Sequence, residues 1–199
     1  MWTLPNILTL FRIALIPIII GVFYLPWEWH HIASAAIFAL AAGTDWLDGY
    51  LARRLNQFTP FGAFLDPVAD KLIVAAALIL LLESHPTPLF ALPALVIISR
   101  EIVISALREW MAELGNRTSV AVSYVGKIKT TLQMIAIGVL LAVDPVAHPM
   151  WDQIGIGLLY IAALLTLWSM VIYLKAAWPE FSRVPDPEAS AQGNDTEQD

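Results

Sequence analysis

The sequence predicts an all-α, polytopic membrane protein with six transmembrane helices. Hydrophobic residues make up 58% of the 199 residues and charged residues only 14%, whereas a soluble globular domain is about 45–50% apolar and about 25% charged. So few charges would not keep the surface of a soluble enzyme hydrated. The same composition excludes a chain that is disordered over most of its length. Apolar runs of roughly 20 residues, the length that crosses a bilayer, recur along the chain.

Six apolar segments are long enough to be transmembrane helices, and most of their connections are short and rich in turn residues. The connection Leu55–Asp66 is longer. No basic region or small-residue cleavage site precedes or follows the first segment, so we expect it to be retained and not cleaved as a signal peptide. The predicted segments are residues 7–25, 32–54, 67–83, 89–112, 120–143 and 153–176.

The predicted membrane domain covers residues 1–178, and a polar acidic tail follows over residues 179–199. From Glu180 onward the chain has six acids against one arginine, Arg183, a composition typical of a disordered segment. The net charge of −6 therefore describes mainly the tail, and nothing indicates nucleic-acid binding. The absence of cysteine excludes disulfides, thiolate metal sites and cysteine nucleophiles.

Lysine and arginine lie almost entirely on one side of the predicted bundle. None occurs in the loops 26–31, 84–88 and 144–150, while the opposite loops and both termini hold or border nearly all eleven. The positive-inside rule therefore predicts that both termini are cytoplasmic. The histidines fall on the other side and are expected to be solvated loop residues; they are His30, His31, His85 and His148.

Four carboxylates interrupt the second and third segments near their cytoplasmic ends. Asp45 and Asp48 are three residues apart, and Asp66 and Asp70 are four apart, so each pair shares one face of a helix. A charge inside a bilayer costs on the order of 3 kcal/mol or more, and such residues usually mark function. If Leu55–Leu65 folds the chain back, the two pairs meet.

Converging carboxylates repel each other unless they are partly protonated or bound to cations. Oxygen ligands without cysteine or clustered histidine favour Mg²⁺ or Mn²⁺, and a pair of such ions is a recurring device in phosphoryl displacement. Structural alternatives exist for single acids. Asp66 before Pro67 has the pattern of a helix N-cap, and a lone acid could pair with Arg53 or Lys71. They do not account for four acids at this spacing.

The window from Asp45 to Asp70 has the spacing D-x2-D-G-x2-A-R-x8-G-x3-D-x3-D. It resembles the signature of the CDP-alcohol phosphatidyltransferases and matches all eight fixed positions. Over roughly residues 3–176 the chain is similar to bacterial members of that family that use glycerol 3-phosphate as acceptor. The flanking segments that carry this similarity are Pro5–Arg12, Asp66–Leu72, Ser99–Gly115 and Gly126–Thr130.

The resemblance implies transfer of the phosphatidyl group from CDP-diacylglycerol to sn-glycerol 3-phosphate, with release of CMP. It further implies a homodimer in the bacterial inner membrane, in contact with membrane lipids. Asp45, Asp48, Asp66 and Asp70 are implied to be ligands of Mg²⁺ or Mn²⁺, with two ions expected, and Asp70 is also implied to be the general base. The implied CDP-diacylglycerol contacts are Asp48, Gly49, Ala52, Arg53 and Gly62.

The phosphate of the acceptor needs a cationic site of its own. Arg100 interrupts an apolar run, so it is expected either to pair with a residue such as Glu101 or to face a polar cavity. Lys127 and Lys129 lie on different helix faces, and only one is expected to point inward. The candidates for glycerol 3-phosphate binding are Arg100, Arg108, Lys127 and Lys129. Arg12 is a weaker candidate for lipid headgroups or the nucleotide.

Two alternatives remain open from the sequence. The acceptor could be inositol phosphate or serine, because the aspartate window does not distinguish acceptors. A divalent-cation transporter is the second alternative, and it would require acids on several segments and a path to the other face of the membrane.

Overall fold

Six α-helices account for nearly all of the described chain. The structure, a computed structural model, describes residues 3–55, 59–113 and 124–181, and no strand occurs in these ranges. The predicted all-α class is therefore confirmed. The helices are α1 (Leu4–Phe23), α2 (His30–Leu55), α3 (Pro60–Ser84), α4 (Pro88–Glu113), α5 (Tyr124–Ala142) and α6 (Pro149–Phe181). The predicted tail lies outside the described residues, except that residues 179–181 end α6.

The third helix begins earlier than the apolar pattern predicts. Thr59 is its N-cap, with the side-chain oxygen accepting a hydrogen bond from the Gly62 backbone N–H at 3.0 Å, and Pro60 stands in the first turn. This cap leaves Asp66 inside the helix, so its interpretation as an N-cap before Pro67 is wrong. The long connection is likewise shorter than predicted, because residues 60–66 are helical.

Three helices are, by themselves, long and apolar enough to cross a bilayer: Leu4–Phe23, Pro88–Met111 and Pro149–Lys175. Most of α5 adds a shorter apolar run, Ile128–Ala142. Six spans remain a prediction, because α2 and α3 carry the charged window. Large apolar side chains face outward on several helices, as lipid contact requires; they include Ile79, Leu89, Leu92, Leu95, Leu164 and Trp168.

The apolar core fills one half of the bundle. It takes residues from the C-terminal halves of α1, α3 and α5 and from the N-terminal halves of α2, α4 and α6, as expected for helices that alternate in direction. Representative members are Ile19, Phe38, Leu78, Ile97, Ile137 and Leu159. The other half of the bundle is left for the polar residues of the charged window.

At the apolar end of the bundle, three of the four histidines are not the solvated loop residues that the sequence predicts. His30 and His31 begin α2 and are half-buried, and His85 follows the last residue of α3. The side chain of His85 is only 10% exposed, and its Nε2 lies 2.7 Å from Asp152 Oδ1. Its ring also stacks on Phe90 at 4.8 Å between centroids. The pair joins the end of α3 to the start of α6, a contact that no local pattern in the sequence indicates.

The packing of α5 on α6 depends on Gly155. A Cβ atom there would lie 2.7 Å from Leu140 Cγ, and Leu140 is buried. We expect Gly155→Ala to lower stability by about 1–3 kcal/mol, because overpacking forces neighbouring side chains to shift. Gly157→Ala is the matched control, since no described residue beyond its own helical turn places an atom within 4 Å of the added Cβ. Thermal unfolding in detergent measures the difference, and equal midpoints for the two variants would contradict this account.

Candidate active site

Helix α1 presents a polar stripe toward the aspartates. Asn6, Thr9 and Arg12 are three residues apart and all buried, so they share one face of an otherwise apolar helix. Thr9 Oγ1 donates a hydrogen bond to Asp66 Oδ1 at 2.5 Å. The Thr59 hydroxyl, at the start of α3, donates to Asn6 Oδ1 at 3.0 Å. This stripe fixes α1 against the N-terminal half of α3.

Arg12 is the centre of the acidic cluster. Its side chain is fully buried, and Nη2 lies 2.5 Å from Asp48 Oδ2 while Nη1 lies 3.0 Å from Asp45 Oδ1. Nη1 also donates to Asp70 Oδ1. The predicted meeting of acids from α2 and α3 is therefore present, and a guanidinium from α1 neutralises part of their charge. Asp66 lies one turn before Asp70 and bonds to Thr9 instead.

The four acids differ in their access to solvent. The side chains of Asp45 and Asp70 are each 47% exposed, whereas that of Asp48 is 4% exposed. Asp45 and Asp70 line a cavity, and Asp48 lies behind them against Arg12. The exposed pair is thus placed to meet a ligand, while the buried acid holds Arg12.

The donor set fits a hard divalent cation in its chemistry. All four groups supply carboxylate oxygens, and Asp45 and Asp70 both bond to the same nitrogen, Nη1 of Arg12, so positive charge is already required at that point. Within the described ranges, no group of three or more His, Asp or Glu forms a ready metal cage. The assignment of Asp45, Asp48, Asp66 and Asp70 as metal ligands therefore stays a prediction.

The other signature residues lie beside the acids. Gly49, Ala52 and Arg53 belong to α2, but their side-chain environments fall outside the described part of the structure. Gly62 is in the first turn of α3, where an added Cβ would lie 2.5 Å from Asn6 Oδ1. The close approach of α1 accounts for this glycine by packing, and its contact with CDP-diacylglycerol stays a prediction.

A basic cluster faces the acids from α4 and α5. Arg100 is buried, with Nη1 at 2.9 Å from Glu101 Oε1, and Lys129 Nζ lies 3.3 Å from the same oxygen. Both alternatives for Arg100 hold, since it pairs with Glu101 and also lines the cavity. Lys129 lines the cavity too, and the side chain of Lys127 lies outside the described residues.

Helix α6 supports the two arginines of α4. The Tyr173 ring centroid is 5.7 Å from the Arg100 guanidinium carbon and 5.4 Å from that of Arg108, within the range of cation–π attraction. The Tyr173 hydroxyl also accepts a hydrogen bond from Arg108 Nη2 at 3.3 Å. Ser169, one turn earlier, accepts one from Arg100 Nη2 at 3.4 Å. Arg100 and Arg108, although eight residues apart on α4, thereby line the same cavity.

One cavity of about 320 Å³ joins the acidic and basic clusters. Asp45 and Asp70 line it from α2 and α3, and Arg100, Arg108 and Lys129 line it from α4 and α5. Its lining residues are Arg12, Ala41, Ala42, Asp45, Asp70, Lys71, Ile73, Val74, Arg100, Glu101, Arg108, Lys129, Thr130, Gln133, Met134 and Tyr173. A cavity with carboxylates facing cations suits a ligand that carries both a hydroxyl and a phosphate.

Sequence reasoning undervalued Arg12 and missed Tyr173 and Gln133. A signal for Arg12 exists, because Asn6, Thr9 and Arg12 are the polar residues of an apolar helix at a spacing of three. Tyr173 and Gln133 carry no such signal, because a single tyrosine or glutamine in a membrane helix does not reveal its neighbours.

The helical fold and the aspartate-lined site are those of a membrane-embedded phosphatidyltransferase. The chain belongs to the CDP-alcohol phosphatidyltransferase family, whose model matches residues 2–174. The predicted family resemblance is thereby confirmed. A Pseudomonas fluorescens protein named CDP-diacylglycerol–glycerol-3-phosphate 3-phosphatidyltransferase is 58% identical over 177 residues, 88% of this chain and 90% of the relative. Proteins of the same name from Salmonella choleraesuis and Shigella flexneri are 56% identical, covering 88% of this chain and 95% of each relative.

Proposed function

We propose that the protein transfers the phosphatidyl group of CDP-diacylglycerol to sn-glycerol 3-phosphate, forming phosphatidylglycerol phosphate and CMP. The observation that carries this proposal is that one cavity is lined by Asp45 and Asp70 and also by Arg100, Arg108 and Lys129. The names of relatives at 56–58% identity support the same acceptor. The apolar core beneath the cavity favours an enzyme over a cation transporter, because it offers an ion no path onward.

In the proposed reaction, the C1 hydroxyl of the acceptor attacks the phosphorus that bears the diacylglycerol. A new O–P bond forms, and the P–O bond to CMP breaks. Asp70 takes the proton of the attacking hydroxyl as general base. Its half-exposed carboxylate lines the cavity, and its bond to Arg12 orients it.

Divalent metal dependence is general in this family, and we propose that Asp45, Asp48, Asp66 and Asp70 would hold Mg²⁺ or Mn²⁺. When bound, such an ion supplies positive charge against the pyrophosphate and makes the acceptor hydroxyl more acidic. Gly49, Ala52, Arg53 and Gly62, with Asp48, are proposed to contact the CDP-diacylglycerol, because they surround the acids on α2 and α3.

We also propose that the protein lies in a bacterial inner membrane as a homodimer with both termini in the cytoplasm. The lysine- and arginine-free loops support this orientation. The site would then open toward soluble glycerol 3-phosphate while its donor lies in the bilayer.

A phosphatidyl-transfer assay tests the proposal. Purified protein in detergent receives CDP-diacylglycerol, Mg²⁺ and labelled glycerol 3-phosphate, with labelled serine and inositol phosphate in parallel. We expect label in lipid from glycerol 3-phosphate alone, with release of CMP. Label from another acceptor would overturn the substrate assignment, and folded protein that transfers to none would overturn the enzyme itself.

Arg108 lines the cavity, and its described hydrogen-bond partner is a neutral group, the hydroxyl of Tyr173. Arg100 and Lys129 share the carboxylate of Glu101 instead. We expect Arg108→Gln to raise the KM for glycerol 3-phosphate by about tenfold or more with a small change in kcat, because a charge-assisted contact of about 1.5–3 kcal/mol is lost.

Lys175→Gln is the matched control for Arg108→Gln. It removes the same charge from an exposed residue of α6 outside the cavity lining, so its KM is expected to equal that of the wild type. Equal KM changes in the two variants would show that net charge, and not a phosphate contact, is responsible.

A further inference from the structure

The lining of the cavity includes a buried amide that the proposed reaction has not yet used. Gln133 on α5 is 2% exposed, and its Oε1 is buried with no hydrogen-bond partner among the described residues. An amide oxygen left unpaired in a protein interior costs roughly 1–3 kcal/mol. Because Gln133 lines the cavity, a hydrogen-bond donor on a bound ligand could pair with this oxygen.

Part of the cavity lining that includes Gln133 is apolar. Ala41, Ile73, Val74 and Met134 contribute to the same cavity, and none of these side chains carries a hydrogen-bonding group. Lys129 is four residues earlier on α5, which places it one turn away on the same face, about 6 Å along the axis. Gln133 thus adds one polar group to the lining, one helical turn from Lys129 of the basic cluster.

The proposed acceptor has three polar groups. Its phosphate suits the cations Arg100, Arg108 and Lys129, and its C1 hydroxyl suits Asp70. The C2 hydroxyl, which lies between these two ends of the molecule, still needs a partner. Thr130 is exposed and Lys71 half-buried, so water can reach both, whereas Gln133 is closed to water.

We propose that Gln133 accepts a hydrogen bond from the C2 hydroxyl of the acceptor and so selects glycerol 3-phosphate over phosphates that lack this group. This inference rests on the proposed function. The physical basis is that a buried polar group left unpaired by the wrong substrate penalises that substrate, whereas apolar walls alone discriminate weakly. Gln133 is a specificity-determining residue in this scheme, and Asp70 still performs the proton transfer.

The test pairs two acceptors with two forms of the enzyme. Glycerol 3-phosphate is compared with 3-hydroxypropyl phosphate, which keeps the phosphate and the primary hydroxyl but lacks the C2 hydroxyl. We expect the wild type to prefer glycerol 3-phosphate by about tenfold in kcat/KM. In Gln133→Met, of similar size but without the oxygen, this preference should disappear because only the glycerol 3-phosphate rate falls.

Two further variants keep the test decisive. Met134→Leu changes a neighbouring lining residue without a hydrogen-bonding group and should keep the wild-type preference. Gln133→Glu keeps an acceptor oxygen, so it should also keep the preference although its added charge lowers both rates; it serves as well if Gln133→Met does not fold. A wild type that does not discriminate, or a Gln133→Met variant that loses both acceptors equally, would overturn the inference.

Failure of the proposed function gives a different result. In that case the wild type would transfer to neither acceptor, and calorimetric titration of the folded protein with the two phosphates would replace kinetics. The same tenfold preference in Kd, lost in Gln133→Met, is then expected. Equal Kd values for the two phosphates in the wild type would overturn the contact itself.

Discussion

Asp70→Asn is expected to lower kcat for phosphatidyl transfer by about 10²–10⁴-fold, the usual contribution of a general base. The amide has nearly the same shape as the carboxylate but cannot take the proton of the attacking hydroxyl. Asp70, like Asp45, lines the cavity and bonds to Arg12, so the substitution changes charge at the reacting end with little change of volume. CMP release and label in lipid measure the loss.

The matched control for Asp70→Asn is Asp144→Asn in the turn between α5 and α6. Asp144 Oδ1 accepts hydrogen bonds from the Val146 and Ala147 N–H groups at 2.8 and 3.3 Å, which hold the pKa of its carboxyl below the ordinary value. An asparagine oxygen keeps these bonds. Asp144→Asn should therefore be fully active, and an Asp70→Asn variant within about tenfold of it would exclude the general-base role.

Arg12→Met is expected to destabilise the protein by about 3–5 kcal/mol, the usual cost of removing one partner from a buried ion pair. Arg12 is fully buried, and three carboxylates bond to it. Without the guanidinium, the nearly inaccessible Asp48 loses its charged partner. Thermal unfolding in detergent measures the loss, and Arg54→Met, at an exposed arginine of α2, should leave the midpoint almost unchanged.

A double variant separates the ion pair from simple packing. Adding Asp48→Leu to Arg12→Met removes both members of the buried pair, so the double variant should be more stable than the sum of the two single effects predicts. Additive losses would show that Arg12 acts by filling space. An Arg12→Met protein that unfolds at the wild-type temperature would mean that the cluster does not need this cation.

The helix count of the described bundle and the pairing of acids within each helix were predictable from local patterns. Apolar runs of bilayer length identify helices regardless of their neighbours, and spacings of three and four identify shared faces. The start of α3 was less predictable, because Pro67 resembles a helix start and Thr59–Pro60 is another. The contact of His85 with Asp152 was not predictable at all, since 67 residues separate them.

For the site, the sequence by itself determined the chemistry: four carboxylates at a spacing that matches the CDP-alcohol phosphatidyltransferases, and a set of cations on later helices. Only the tertiary structure decided which cation pairs with which acid. Arg12 comes from α1 to the acids of α2 and α3, and Tyr173 of α6 holds two arginines of α4 beside one cavity. The reason is physical: residue type and helical spacing fix what a side chain can do and which face it shares, but helix packing alone fixes what it meets.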